Sequence, residues 1–152
     1  MHGMRFAHIG LKAKNPEEMI AYYCEKLGFK LKFTLYHEDG SIWLHYLEIS
    51  DTQFVELFPL KEDDAFVQWG EEQSFFHWAL SVDNLAETVK QLQQNGVDVY
   101  YLHSDAFEDN PIVGDYKPAF APACGSLVAF LKDPAGNLIE LQEYTEKSLQ
   151  LK

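Results

Sequence analysis

The chain has 152 residues, 47% of them apolar and 14% aromatic, which is enough for a packed core and too hydrophobic for a disordered segment. Its 24 acids against 12 bases give a formal net charge of −12, and such a chain is repelled by phosphate backbones and anionic membranes. No apolar run approaches the roughly 20 residues of a membrane helix. Arg5 is the single arginine, so a phosphate clamp is also disfavoured. The composition points to a small-molecule partner, with neither nucleic acid nor membrane. Cys24 and Cys124 have neither metal-type spacing nor the makings of a disulfide framework, which suits a reduced, cytoplasmic setting. No leader segment is read before the first strand.

In chain order, Phe6 to Ala13 reads as a strand. Asn15 is a helix N-cap with Pro16 at the first helical position and Glu17 and Glu18 in the first turn. Met19, Ile20, Tyr23 and Leu27 form an apolar stripe, and Gly28 ends the helix. Strands follow at Phe29 to Tyr36, Ser41 to Ile49 and Gln53 to Phe58, with the first two joined by an Asp39-Gly40 hairpin signal. Residues 61–73 form an acidic linker. The order then recurs: a strand at Phe75 to Val82, a helix at Leu85 to Asn95 closed by Gly96, and strands at Val97 to Leu102, Gly125 to Leu131 and Leu138 to Glu143. His103 to Ala123 is too long for an ordinary connection and is expected to be a lid over the substrate. The expected architecture is α+β: one domain spanning 1–152, built from two tandem β-α-β-β-β units at about 5–60 and 74–143.

The repeat places the same side chains at matching positions. His8 and His77 lie in the opening strands, and Glu56 and Glu140 in the closing ones, within Phe-Val-Glu-Leu-Phe and Leu-Ile-Glu-Leu-Gln. The His-to-Glu separation is 48 residues in the first unit and 63 in the second, a difference that the long loop accounts for. Phe75, His77, Ala79 and Ser81 share one face, with Phe76, Trp78, Leu80 and Val82 on the other. A strand with bulky apolar groups on both faces is expected to be buried on both sides. An imidazole or carboxylate in such a strand needs a partner. Two imidazoles and two carboxylates at equivalent places offer nitrogen and oxygen ligands to one divalent first-row metal, with nickel, cobalt, zinc and manganese all suitable.

Together with Asp133-Pro134-Ala135-Gly136-Asn137 before the last strand, this pattern resembles the vicinal oxygen chelate superfamily (the glyoxalase/bleomycin resistance/dioxygenase fold), nearest to glyoxalase I-like proteins. The resemblance runs from Phe6 to Glu143. It implies a curved, cup-like mixed sheet around a metal, a homodimer, and a metal-dependent lyase or isomerase. Such an enzyme chelates vicinal substrate oxygens and transfers a proton through an enediolate, with Glu140 or Glu56 as the base. Two other classes of the superfamily are alternatives. An extradiol-type dioxygenase would leave the Glu56 position free of a ligand, and a metal-free binding protein would lack all four. Bacterial glyoxalase I typically has arginine four residues after its first ligand and asparagine four after its first Glu, both serving glutathione. Here Lys12 and Leu60 stand there, so the metal core matches and the glutathione shell does not.

Other histidines rank lower. His37 beside the hairpin is expected to be solvated, and His45 to be core or pocket wall. His103, Asp105 and Cys124 flank the long loop, within reach of a substrate. His2 is assigned no role. Trp43, Tyr46, Phe54, Phe58, Trp69, Phe75, Trp78 and Tyr101 are expected mainly in the core.

Overall fold

Alternating side chains give each sheet one apolar face that must be covered and one open face, and this division organises the computed structural model. The structure describes residues 3–61, 63–64, 74–103, 106–107, 110–117 and 123–152, with 102–103 and 106–107 described by backbone alone. His2, Trp69, Asp105, the side chain of His103 and most of the 61–73 linker lie outside the described residues. The chain divides into two units, 1–68 and 69–152.

The first unit opens with β1 (His8–Ala13), followed by α1 (Pro16–Ile20), which runs directly into a π-helical stretch at Ala21–Lys26. Asn15 caps α1 by accepting from the Glu18 N–H. The wider turn shows in Leu27 N–H donating to Tyr22 O at 3.1 Å, five residues back, and Gly28 closes the helix at φ +83°. β2 (Lys30–Tyr36), β3 (Ile42–Ser50) and β4 (Gln53–Pro59) complete a four-stranded sheet of order β1-β4-β3-β2. β1 runs parallel to β4, and the other pairings are antiparallel. Leu11, Ala13, Leu47, Val55 and Leu57 are buried, as are Met19, Tyr22 and Tyr23 of the helical segment, and α1 packs against β4. His45 belongs to this buried set, 7% exposed. It pairs with Leu57 across β3–β4, and its Nδ1 lies 2.8 Å from the Thr34 hydroxyl. It is a core histidine.

The second unit contains β5 (His77–Ser81), α2 (Leu85–Gln94), a two-residue hairpin of β6 (Leu102–His103) and β7 (Ala106–Phe107), β8 (Leu127–Lys132) and β9 (Leu138–Glu143). Its main sheet has the order β5-β9-β8, with β5 parallel to β9. Asn84 accepts from Glu87 N–H and the Glu143 carboxylate accepts from Leu85 N–H at 2.6 Å, so two of the free N–H groups at the start of α2 are satisfied. Leu85, Val89 and Leu92 of α2 are buried, and α2 packs on β8 and β9. The tail folds back against the start of β8. Leu149 N–H donates to Cys124 O, and Ser126 and Ser148 join hydroxyls at 2.8 Å. A Cβ at Gly125 would stand 2.3 Å from the Lys147 carbonyl oxygen.

Three expectations are corrected. The strand expected at Val97 to Leu102 is reduced to one bridge, Tyr100 with Phe130, plus the short hairpin. Val97 and Val99 are still buried, but the Val99 carbonyl is taken by Ile112 N–H at 2.7 Å instead of a neighbouring strand. The strand of His77 is buried on one side only. Trp78 is 8% exposed, whereas Ala79 and Ser81 on the opposite face are exposed, and Phe75 and Phe76 precede the strand at 41% and 49%. The long loop is not a lid throughout. Within 110–117, Ile112 and Tyr116 are buried, the Gln93 amide donates to the Ile112 and Gly114 carbonyls, and the Tyr116 hydroxyl donates to Val128 O. That part is fastened to the body of the unit; 104–105, 108–109 and 118–122 lie outside the described residues.

Burial holds the His45 imidazole below its ordinary pKa of 6.5. A folded-state value below the unfolded one stabilises the protein above pH 6.5, and that stabilisation is lost as pH falls through the lower value. Urea denaturation from pH 8 to pH 4 is expected to show an acid loss in the native protein that His45→Gln lacks. Identical pH dependence in the two would contradict this assignment.

Candidate metal centre

The sheet registers put the four candidate ligands on the open faces. In the first unit, His8 aligns with Phe54, Gly10 with Glu56 and Lys12 with Phe58, so His8 and Glu56 point to the same side, away from Leu11, Val55 and Leu57. His8 Nε2 lies 3.4 Å from Glu56 Oε2, with the imidazole 48% exposed and the carboxylate 12%. In the second unit His77 aligns with Leu138 and Ala79 with Glu140. There His77 Nε2 lies 2.8 Å from Glu140 Oε2, with exposures of 29% and 15%. The pairs are counterparts: each joins the first strand of its unit to the last, two residues apart in a parallel register.

The turn motif before β9 has a structural job. Asp133 Oδ1 accepts from the backbone N–H groups of Ala135 and Asn137, and Oδ2 accepts from the Asn137 amide. Gly136 takes φ +84°, which suits glycine. This turn fixes the β8–β9 register, in which Phe130 stands opposite Glu140.

Electrostatics separates the two carboxylates. Burial pushes the Glu140 carboxyl above its ordinary pKa, and the adjoining His77 imidazole partly opposes the shift. Without a cation, a proton must sit between Nε2 and the carboxylate. The buried Nδ1 of His77 has no hydrogen-bond partner among the described residues, so the ring is oriented by its Nε2 contact and by edge contacts with Phe76 and Phe130. Glu56 has a further neighbour that the sequence reading left in the core. Tyr46 lies opposite it on β3, and the neighbouring Glu56 carboxylate raises the phenol pKa.

Two ligands about 2.1 Å from one ion stand about 3.0 Å apart at a right angle and about 3.4 Å apart at the tetrahedral angle. Both His–Glu separations, 3.4 Å and 2.8 Å, suit such a bite, and each pair presents one nitrogen and one oxygen donor. A divalent cation would take the place of the shared proton and neutralise the buried carboxylate, so the residues present fit the metal expected of them. Among the described residues no three His, Cys, Asp or Glu side chains converge on one point. Each unit by itself offers a two-donor half-site.

The first unit also holds a cleft of about 670 Å³ whose lining includes Gly10, Lys12, His37, Trp43, Phe58 and Leu60. Gly10, Lys12 and Phe58 place it on the open face that carries Glu56. His37, expected to be merely solvated, tilts against Trp43 with ring centroids 5.9 Å apart. Trp43 is 47% exposed and lines the cleft, not the core. Cys24 and Cys124 are both free. The Ser126 backbone N–H donates to Cys124 and holds its thiol below the ordinary pKa, whereas burial raises that of Cys24. No helix among the described residues is long and apolar enough to cross a membrane.

The Glyoxalase/Bleomycin resistance protein/Dioxygenase superfamily profile matches residues 5–141. A lactoylglutathione lyase of Salmonella typhimurium is 30% identical over 148 residues, covering 92% of this chain and 93% of that one. Among solved structures, a glyoxalase family protein from Enterococcus faecalis superposes with a TM-score of 0.69 at 24% identity, over 94% of this chain and all of that one. An antibiotic binding protein from Streptomyces sp. CB03234 superposes at 0.62 and 19% identity, over 95% and 99%. The superfamily match over nearly the whole chain, on this α+β fold, makes the protein a member of the glyoxalase/bleomycin resistance/dioxygenase superfamily.

Proposed function

We propose that the protein is a metal-dependent lyase or isomerase of the glyoxalase type, with one divalent ion held by His8, Glu56, His77 and Glu140. The observation that supports this most is the duplicated His–Glu pair at chelating distance on the open face of each sheet. Bound there, the ion would supply a Lewis acid that stabilises negative charge developing on two adjacent substrate oxygens.

The residues of the chain supply the rest. One of the two carboxylates, Glu140 or Glu56, acts as the base: it takes a proton from the carbon beside a carbonyl and returns it to the neighbouring carbon. One C–H bond breaks and another forms, with no net oxidation. His77 contacts the Glu140 carboxylate at 2.8 Å, and His8 contacts the Glu56 carboxylate at 3.4 Å.

The cleft suits the remainder of a substrate. Its aromatic wall of Trp43 and Phe58 favours an apolar or planar group, and Lys12, Lys61 and Asp64 add charged groups of both signs to the lining. Leu60 lines the cleft, so it has a methyl surface where a glutathione-using relative would place an amide. With Leu60 in place of an amide and the Asp64 carboxylate on the same lining, a small oxygen chelator fits better than a glutathione adduct. A second reading, a small-molecule binding protein, is favoured by the same aromatic-walled cleft and by the fold shared with an antibiotic binding protein.

Calorimetric titration of metal-free protein with nickel, cobalt, zinc and manganese is expected to give one ion per chain, with His77→Ala and Glu140→Ala each weakening it at least tenfold. Unchanged affinity in both variants would remove the metal assignment, and a native protein that binds the cleft ligand but no metal would favour the binding-protein reading. In steady-state assays of each metal form, the methylglyoxal–glutathione hemithioacetal is expected to be turned over poorly. A kcat/KM above about 10⁵ M⁻¹s⁻¹, within the ordinary enzyme range, would show that the glutathione shell is intact by other residues.

A further inference from the structure

The repeat carries more than the His–Glu pairs. Beside each carboxylate the register sets a small residue of the opening strand, Gly10 next to Glu56 and Ala79 next to Glu140. One row further along, the units part. In the first, Lys12 pairs with Phe58, and both line the cleft. In the second, Ser81 pairs with Gln142, and Val128 stands on the other side of Gln142. A row that is charged and aromatic in one unit is a hydroxyl and a carboxamide in the other, on the face that carries Glu140. Ala79 and Ser81 are exposed and Gln142 is half-buried.

That carboxamide is held in one orientation. Gln142 Nε2 donates to Ser126 Oγ at 3.0 Å. Ser126 is fully buried and meets Ser148 Oγ at 2.8 Å and Gln150 Oε1 at 3.4 Å. Ser148, also fully buried, accepts from Thr145 N–H at 2.8 Å. Ser126 has a single proton to give. Given to Gln150, it leaves Ser148 to donate to Ser126, and it leaves Gln142 to meet Ser126 through Nε2. The Gln142 Oε1 takes no part in this network, and no hydrogen bond from the described residues reaches it. The two buried hydroxyls are satisfied by each other, Thr145 and Gln150, so they do not require the glutamine. A side chain tied down through its nitrogen, with its oxygen unspent, is a preorganised acceptor.

We propose that Gln142, with Ser81 beside it, determines substrate specificity: its Oε1 accepts a hydrogen bond from a hydroxyl or amide N–H of the substrate, whose two adjacent oxygens lie beside Glu140. This rests on the metal reading above and deepens it by naming the substrate class. Two residues of strand, about 7 Å, separate Gln142 from Glu140. The substrate is therefore an oxygen chelator with a neutral hydrogen-bond donor about that far from its paired oxygens. A site built to hydrogen-bond such a group discriminates against the analogue that lacks it, because the waiting acceptor is then left unpaired.

Butanohydroxamate and 4-hydroxybutanohydroxamate, which differ only in a terminal hydroxyl, are the probe pair. On zinc-loaded protein the hydroxyl compound is expected to bind about threefold to tenfold more tightly, and Gln142→Met to bring the two to equal affinity. Ser148→Ala, which loosens the carboxamide without removing it, is expected to lose part of the preference. No preference in the native protein, a preference that survives Gln142→Met, or an equal loss for both compounds would overturn the proposal. A second readout needs neither metal nor variant. The ¹³C carboxamide signal of Gln142, assigned through its backbone resonances, is followed in metal-free protein as each compound is added in excess. It is expected to move with 4-hydroxybutanohydroxamate and to stay in place with butanohydroxamate; the same response to both would overturn the proposal. If the native protein bound no metal, the functional reading would fail, and this signal alone would decide whether Gln142 accepts from the ligand.

Discussion

A carboxylate that a β-strand removes from water must meet a proton or a cation, because the desolvation cost of an unpaired charge exceeds what a small domain can bear. This fold poses that problem twice, at Glu56 and Glu140, and answers it the same way each time. The closing strand of each unit runs parallel to the opening strand, so a histidine two residues out of register reaches across to the carboxylate. Everything else in each unit serves that contact. The helix covers the opposite face with leucine, valine and aromatic side chains, which leaves the polar pair as the reason for the face that stays open.

The two answers are not equivalent chemically. Glu140 is half-buried, raised in pKa and paired with an imidazole whose second nitrogen has no partner among the described residues. Glu56 has a phenol across the ladder as well as an imidazole. The two pairs thus share one arrangement and differ at one ladder position, with Tyr46 opposite Glu56 and Phe130 opposite Glu140.

Much of this was legible in the sequence because it was written in periods. Two-residue alternation placed His8, His77, Glu56 and Glu140 on strands, and the recurrence of the whole order tied them into pairs. Asn15 and Asn84 announced the helices, and Asp133 to Asn137 the turn that registers the last hairpin. What was missed depended on contacts between distant segments. Val97 to Leu102 has strand composition, yet Ile112 takes the Val99 carbonyl, and no local pattern announces a hydrogen bond from a loop. The strand of His77 looked apolar on both faces, whereas Phe75 and Phe76 fall before it and stay exposed. Tyr46 was read as one more core aromatic. Its place opposite Glu56 follows from counting back and forward from the Asp51-Thr52 turn, a signal present in the sequence but usable only once the β3–β4 register is known.

The central claim is that both His–Glu pairs act as donors to one divalent ion. X-ray absorption spectroscopy of the cobalt-loaded protein at one ion per chain tests it most directly. The account predicts a shell of nitrogen and oxygen only, with the multiple-scattering signature of two imidazoles, and loss of one imidazole in each of His8→Ala and His77→Ala. A sulfur scatterer, which would bring Cys24 or Cys124 to the metal, or an imidazole count unchanged in either variant, would contradict it.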